Sequence, residues 1–195
     1  QETTRKSRLA TRVIHAGQSP DPSTGAIMPP IYATSTFVQD SPGVHKGLDY
    51  GRSHNPTRWA LERCVADLEG GSAAFAFASG LAAISSVLEL LDAGSHIVAG
   101  DDMYGGTYRL FERVRRRSAG HEFSYADLTN PENLLAALRP ETKMVWVETP
   151  TNPMLKLADL RAIADICRER GSIAVADNTF ASPPVQRPLE HGFDI

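Results

Sequence analysis

The chain of 195 residues carries 20 Lys and Arg against 23 Asp and Glu, a net charge of −3, with 42% hydrophobic and 22% charged residues. That is enough apolar sequence for one ordinary core, and it leaves no basic excess for a nucleic acid or an anionic membrane surface, so neither is expected as a partner. No apolar run is long enough to span a bilayer. The start, Gln1-Glu2-Thr3-Thr4-Arg5-Lys6, lacks the apolar segment of a signal peptide. The two cysteines, Cys64 and Cys167, have no disulfide-framework or zinc-site spacing, which fits a reducing cytoplasm.

Residues 1–54 read as an extended N-terminal arm. Ser19-Pro20-Asp21-Pro22 and Ser41-Pro42-Gly43 are turn chemistry, and Pro29-Pro30 blocks a regular helix. Ile27, Met28, Ile31, Tyr32, Phe37 and Val38 are nevertheless too apolar for a disordered tail, so the arm is expected to pack on its own body or on a second subunit. From Asn55 the pattern becomes regular, and residues 55–195 read as one wound domain. Asn55-Pro56 caps a helix over Thr57–Leu68 that Gly70-Gly71 stops. Ala73–Ala78 reads as a buried strand, followed by a helix from Ser79-Gly80 through Leu91. His96–Ala99, Phe123–Tyr125, Met144–Val147 and Ile173–Ala176 read as further strands. Between them lie helical patterns over Gly105–Ser118, Pro131–Leu138 and Leu157–Arg170. Apolar strands alternating with helices of this length predict an α/β, doubly wound, mainly parallel sheet buried on both faces. Arg113, Arg115, Arg116 and Arg117 read as a solvated helix face, and the six histidines show no metal-ligand spacing.

In such a sheet, ligands sit beyond the carboxyl ends of the strands. The segments found there are Ser79-Gly80-Leu81, Asp102-Met103-Tyr104-Gly105-Gly106, Glu148-Thr149-Pro150-Thr151-Asn152-Pro153 and Asp177-Asn178-Thr179. Ser79-Gly80-Leu81 can hold a phosphate on free helix-start amides, or be an ordinary strand-to-helix turn. No Gly-x-Gly-x-x-Gly follows a strand and no Gly-Lys-Ser/Thr loop exists, against dinucleotide and P-loop nucleotide binding. Asp177 closes the most apolar strand, where a carboxylate is costly without a partner. That partner can be a cationic ring nitrogen, or Asp177 can cap a turn through Asn178 and Thr179. Tyr104 can lie on a flat aromatic ligand and Asn152 can donate to a phenolic oxygen, or each can be a loop residue with no role. Arg52, near Tyr50, offers a phosphate clamp or is simply solvated.

These segments, with Tyr50-Gly51-Arg52-Ser53-His54-Asn55-Pro56-Thr57-Arg58 and Ala76-Phe77-Ala78-Ser79-Gly80-Leu81-Ala82-Ala83, resemble the Cys/Met-metabolism family of pyridoxal phosphate (PLP) enzymes. The resemblance runs in order along nearly the whole chain after the arm. One difference is Gly51, where the family usually has serine. It implies the PLP-dependent transferase-like fold (fold type I), with 55–195 as the leading part of the large cofactor-binding domain. It also assigns cofactor contacts. Tyr50 and Arg52 are expected to reach the phosphate of a neighbouring subunit's site, and Gly80 and Leu81 to hold it in their own. Tyr104 is expected to stack on the ring and help proton transfer, Asn152 to meet the phenolic oxygen and Asp177 the ring nitrogen, with Thr179 also at the cofactor. A homotetramer of site-sharing dimers is the expected assembly.

The family's Schiff-base lysine lies in a Ser-x-Thr-Lys motif beyond the Asp-Asn-Thr stretch. Lys6, Lys46, Lys143 and Lys156 all precede Asp177 and none matches, so the chain is expected to stop before that lysine and to lack the C-terminal domain. Asp49 matches an acidic position of enzymes that handle cystathionine, where a carboxylate can pair with the substrate's distal ammonium. Arg109 matches a substrate-contacting arginine, or is a helix-surface arginine. The expected reaction is α,γ-elimination of cystathionine to cysteine, 2-oxobutanoate and ammonia. The alternatives are γ-replacement of an O-acylated homoserine by cysteine, and a lysine-free, non-catalytic binding protein.

Overall fold

The structure, a computed structural model, describes residues 7–195. The expectation that the start is not a signal peptide, and Lys6, fall on residues 1–6, outside the described residues. The chain forms two compact units, Gln1–Ala76 and Phe77–Ile195.

In the first unit, α1 (Leu9–His15) packs on α2 (Pro56–Glu69). Arg12 Nε meets Asp67 Oδ2 at 2.8 Å in a largely buried ion pair. Gly17 follows α1 at φ +74°, where a Cβ would stand 2.4 Å from the backbone nitrogen of Cys64, so only glycine lets the chain pass this close to α2. The start of α2 follows from its sequence. The Asn55 side chain accepts from the N–H groups of Thr57 and Arg58, Pro56 fills the first turn, and Gly70 ends the helix in the left-handed region. The same cap binds the arm. Asn55 Nδ2 donates to the Tyr32 carbonyl at 3.0 Å, and the Thr57 hydroxyl takes the Tyr32 N–H at 2.9 Å. The arm thus packs partly on its own chain, while Ile27, Met28, Ile31 and Val38 stay exposed. A short hairpin, β1 (Gln39–Ser41) and β2 (Val44–His45), completes this unit.

One expected strand does not form. Ala73–Ala78 belongs to no ladder, and Phe75 is 76% exposed. Its apolar character fits a strand, but a strand needs a neighbour to take its N–H and C=O groups. Here the Ala76 N–H goes instead to the Glu62 carboxylate, at 3.0 Å.

The second unit is the wound sheet. Its strands β3 (His96–Gly100), β4 (Glu122–Ala126), β5 (Thr142–Glu148) and β6 (Ile173–Asp177) pair in the order β4-β3-β5-β6, all parallel. α3 (Gly80–Leu88) precedes β3, and between the strands run α4 (Gly105–Arg109), a π-helical stretch Leu110–Arg115, α5 (Arg116–Ser118), α6 (Pro131–Ala137) and α7 (Leu160–Arg170). The strand period of two sends alternate side chains to opposite faces. Val98, Val145, Val147 and Ala174 pack with Leu134 of α6 and Leu160 and Ile163 of α7. Ile97, Met144, Trp146 and Val175 pack on the other face with Ile84 and Leu88 of α3 and with Phe111. Phe111 stacks on Phe123 at 4.7 Å between ring centres and meets Trp146 edge-on. Two cores on one sheet are the doubly wound arrangement. Among the basic residues after α4, Arg115 is not simply solvated, because it reaches Glu89 and the Ser85 hydroxyl beside α3. No helix among the described residues is long and apolar enough to cross a membrane.

Candidate active site

The carboxyl ends of β5 and β6, the loop after β3 and the start of α3 enclose a cavity of about 370 Å³, within the usual range for a small-molecule site. Its walls bring together Gly80, Leu81, Tyr104, Asn152, Asp177 and Thr179, which the sequence had singled out separately, with Glu148 and Phe180 beside them.

Each wall has a local cause. Ser79 caps α3 by accepting from the Ala82 N–H, so the N–H groups of Gly80 and Leu81 stand at the helix start without intrahelical partners. Together with the helix dipole they favour an anion. Tyr104 precedes α4 and is 46% exposed. A Cβ on Gly106 would stand 2.3 Å from the Tyr104 ring, so the ring occupies space that any side chain at 106 would claim. Asn152 sits in a loop tied down by Thr151, whose hydroxyl bonds to the Asp102 carboxylate and accepts the Lys156 N–H at 2.8 Å.

Asp177 ends β6 in register with Glu148 of β5. Its Oδ1 accepts the Thr179 hydroxyl at 2.5 Å and the Thr179 N–H at 3.2 Å, so the turn-capping geometry is formed. That capping uses one oxygen and leaves Oδ2 for a donor in the cavity. Thr179 therefore orients the carboxylate as well as lining the wall.

Glu148 is a residue that reading the sequence missed. It is 7% exposed, and its oxygens accept the N–H groups of Tyr104 at 2.9 Å and Asn152 at 2.8 Å. Burial pushes its carboxyl up, Asp177 and Asp102 push the same way, and the two amide donors act against them. The signal was present in the alternation of β5, which puts a carboxylate on the face otherwise held by Met144 and Trp146. Phe180 has no comparable signal, since an aromatic residue in a loop carries no period.

The remaining singled-out residues stand elsewhere. Arg109 is exposed at the end of α4, with its guanidinium folded back near Gly105. Asp49, Tyr50 and Arg52 belong to the first unit. There the Arg52 guanidinium lies 4.9 Å from the Tyr50 ring centre, and Asp49 Oδ1 accepts the Tyr50 N–H at 2.7 Å. Hydrogen bonding to His54, and then to that N–H, holds the Asp49 carboxyl below its ordinary range. Lys156 is paired with Asp101 and Asp127.

The donor set of the cavity suits a phosphorylated aromatic ring with a basic nitrogen. It offers an anion-favouring helix start, an aromatic face, a carboxamide and a carboxylate. Comparison with known proteins points the same way. The chain is 62% identical over 191 residues to a cystathionine beta-lyase of Coxiella burnetii, covering 98% of this chain and 49% of that protein. It is 51% identical to a probable cystathionine gamma-synthase of Herpetosiphon aurantiacus, covering 96% and 58%. The crystal structure of cystathionine gamma-lyase from Lactobacillus plantarum, complexed with L-serine, superposes with a TM-score of 0.92 at 46% identity, covering 96% of this chain and 49% of that one. The chain spans about half the length of the relatives it matches. Residues 10–195 match the model of one family, and with the parallel sheet and the cavity at its carboxyl ends they show that the chain belongs to the Cys/Met metabolism PLP-dependent enzymes.

Proposed function

We propose that this chain supplies the PLP-binding wall of a carbon–sulfur lyase that cleaves cystathionine. The observation that carries the reading is the meeting of Asp177, at the end of a buried strand, with the start of α3 around one cavity. PLP, when bound, supplies an electron sink for the carbanion that develops at the substrate α-carbon. Asp177, oriented by Thr179, keeps the ring nitrogen protonated, as a carboxylate beside a basic nitrogen raises its pKa. The N–H groups of Gly80 and Leu81 hold the phosphate. Asn152 donates to the phenolic oxygen, and Tyr104 covers the ring face and moves a proton at the substrate amino group. Tyr50 and Arg52 clamp the phosphate of a neighbouring copy, in a homotetramer of site-sharing dimers located in the cytoplasm. Asp49 pairs with the distal ammonium of cystathionine, and Arg109 holds a substrate carboxylate.

The reaction proposed is α,γ-elimination. A second reading, β-elimination, is favoured by the 62% identity to a protein named cystathionine beta-lyase. Product analysis separates them. The intact protein, given PLP and cystathionine, is expected to release 2-oxobutanoate and cysteine. Pyruvate and homocysteine would move the assignment to β-elimination. Turnover only with an O-acylated homoserine plus cysteine would make it a γ-replacement enzyme, and no turnover with either would overturn the lyase reading.

A further inference from the structure

Glu148 has a place in the site that the roles above do not use. Its two oxygens are both committed, Oε2 to the N–H of Tyr104 and Oε1 to the N–H of Asn152. Those amides lie in different loops, one after β3 and one after β5, in positions where neither has a ladder partner. Packing alone does not call for a carboxylate here. Met144 and Trp146 fill the same face of β5 with apolar side chains, and burying a charged group is costly where an apolar one would do. What a carboxylate adds is two acceptors at a fixed separation on one rigid strand end.

Resting on the reading that the cavity takes PLP, we propose that Glu148 is a positioning residue that sets Tyr104 and Asn152 in mutual register by accepting both of their backbone N–H groups. The ring of Tyr104 and the amide of Asn152 then address one bound ring together, although their loops are separate in sequence. The residue touches the reacting atoms only through these two.

The test is Glu148→Gln in the intact protein, which preserves shape but offers a single acceptor oxygen and turns an NH₂ toward the other amide. Leu134→Ala, in the core on the opposite face of the sheet, serves as the stability control. Two signals are read besides activity: hydrogen exchange at the Tyr104 and Asn152 amides without cofactor, and the visible circular dichroism of bound PLP, which reports ring orientation. Glu148→Gln is expected to speed exchange at the paired amides, shrink the dichroic band and weaken PLP binding about tenfold, the scale of one charge-assisted hydrogen bond. Leu134→Ala is expected to lower the melting temperature and leave those signals unchanged. If Glu148→Gln only lowers the melting temperature, as the control does, the proposal is overturned while the PLP reading stands. If the unaltered protein takes up no PLP, the reading itself fails and the proposal falls with it.

Discussion

Two glycines show how single positions shape the two units. Gly106 leaves room for the Tyr104 ring, which would stand 2.3 Å from any Cβ there. Gly106→Ala therefore forces the ring off its preferred rotamer, at a cost of about 1 kcal/mol, and should lower kcat for cystathionine by about fivefold to tenfold with little change in melting temperature. Steady-state kinetics beside a thermal melt check this, and an unchanged kcat would mean the ring position is not used. Gly51 poses the opposite problem. The family resemblance leads one to expect serine there, yet a Cβ would stand 2.5 Å from the Thr34 carbonyl oxygen. Gly51→Ser should thus destabilise the protein by about 1–3 kcal/mol through overpacking rather than improve the site. Chemical denaturation of the two forms measures the difference, and equal midpoints would show that the backbone at Thr34 gives way freely.

At the scale of elements, His96, at the amino end of β3, ties that strand to both of its neighbours. Its Nδ1 lies 2.7 Å from the Thr142 hydroxyl of β5, and its Nε2 lies 2.9 Å from the Ser124 hydroxyl of β4. Burial first, and then the Arg139 charge, hold its pKa below the ordinary 6.5, against the smaller opposing pull of Glu141 and Glu122. The folded imidazole therefore stays neutral at a pH where the unfolded one takes a proton. The stability this gives is full above about pH 6.5 and is lost as pH falls below it toward the folded pKa. His121 is shifted the same way, chiefly by burial, so the histidine contributions add. His96→Gln should accordingly lose less of its melting temperature than the unaltered protein between pH 7 and pH 5.5. Equal losses would place the acid sensitivity elsewhere.

The elements also show what could be read from the residues and what could not. Asn55-Pro56 and Gly70 mark the ends of α2 to within a residue because caps are local chemistry. The strands β3 to β6 follow from apolar runs that stay apolar in any order of pairing. Ala73–Ala78 has the same composition but no ladder, because pairing is a property of neighbours and not of the segment. The candidate residues Tyr104 and Asn152, in loops after strands, and Asp177, at the end of one, are legible in the sequence, and the parallel topology brings them to one cavity. The alternation of β5 marks Glu148 as an inward carboxylate, but its partners are backbone amides of two separate loops, and those no spacing records.

For the whole molecule, the four-stranded parallel sheet with a core on each face carries the cavity at its carboxyl edge, and the walls come from the loop after β3, the ends of β5 and β6 with the loops that follow them, and the start of α3. The proposed occupant of this cavity is PLP, with its ring nitrogen at Asp177 and its phosphate at the start of α3. The most direct measurement is a crystal structure of the intact protein with PLP. The ring nitrogen is expected within hydrogen-bond distance of Asp177, the phosphate on the N–H groups of Gly80 and Leu81, and Tyr104 over the ring. Cofactor density at another place, or a reversed ring with the phosphate away from α3, would contradict it.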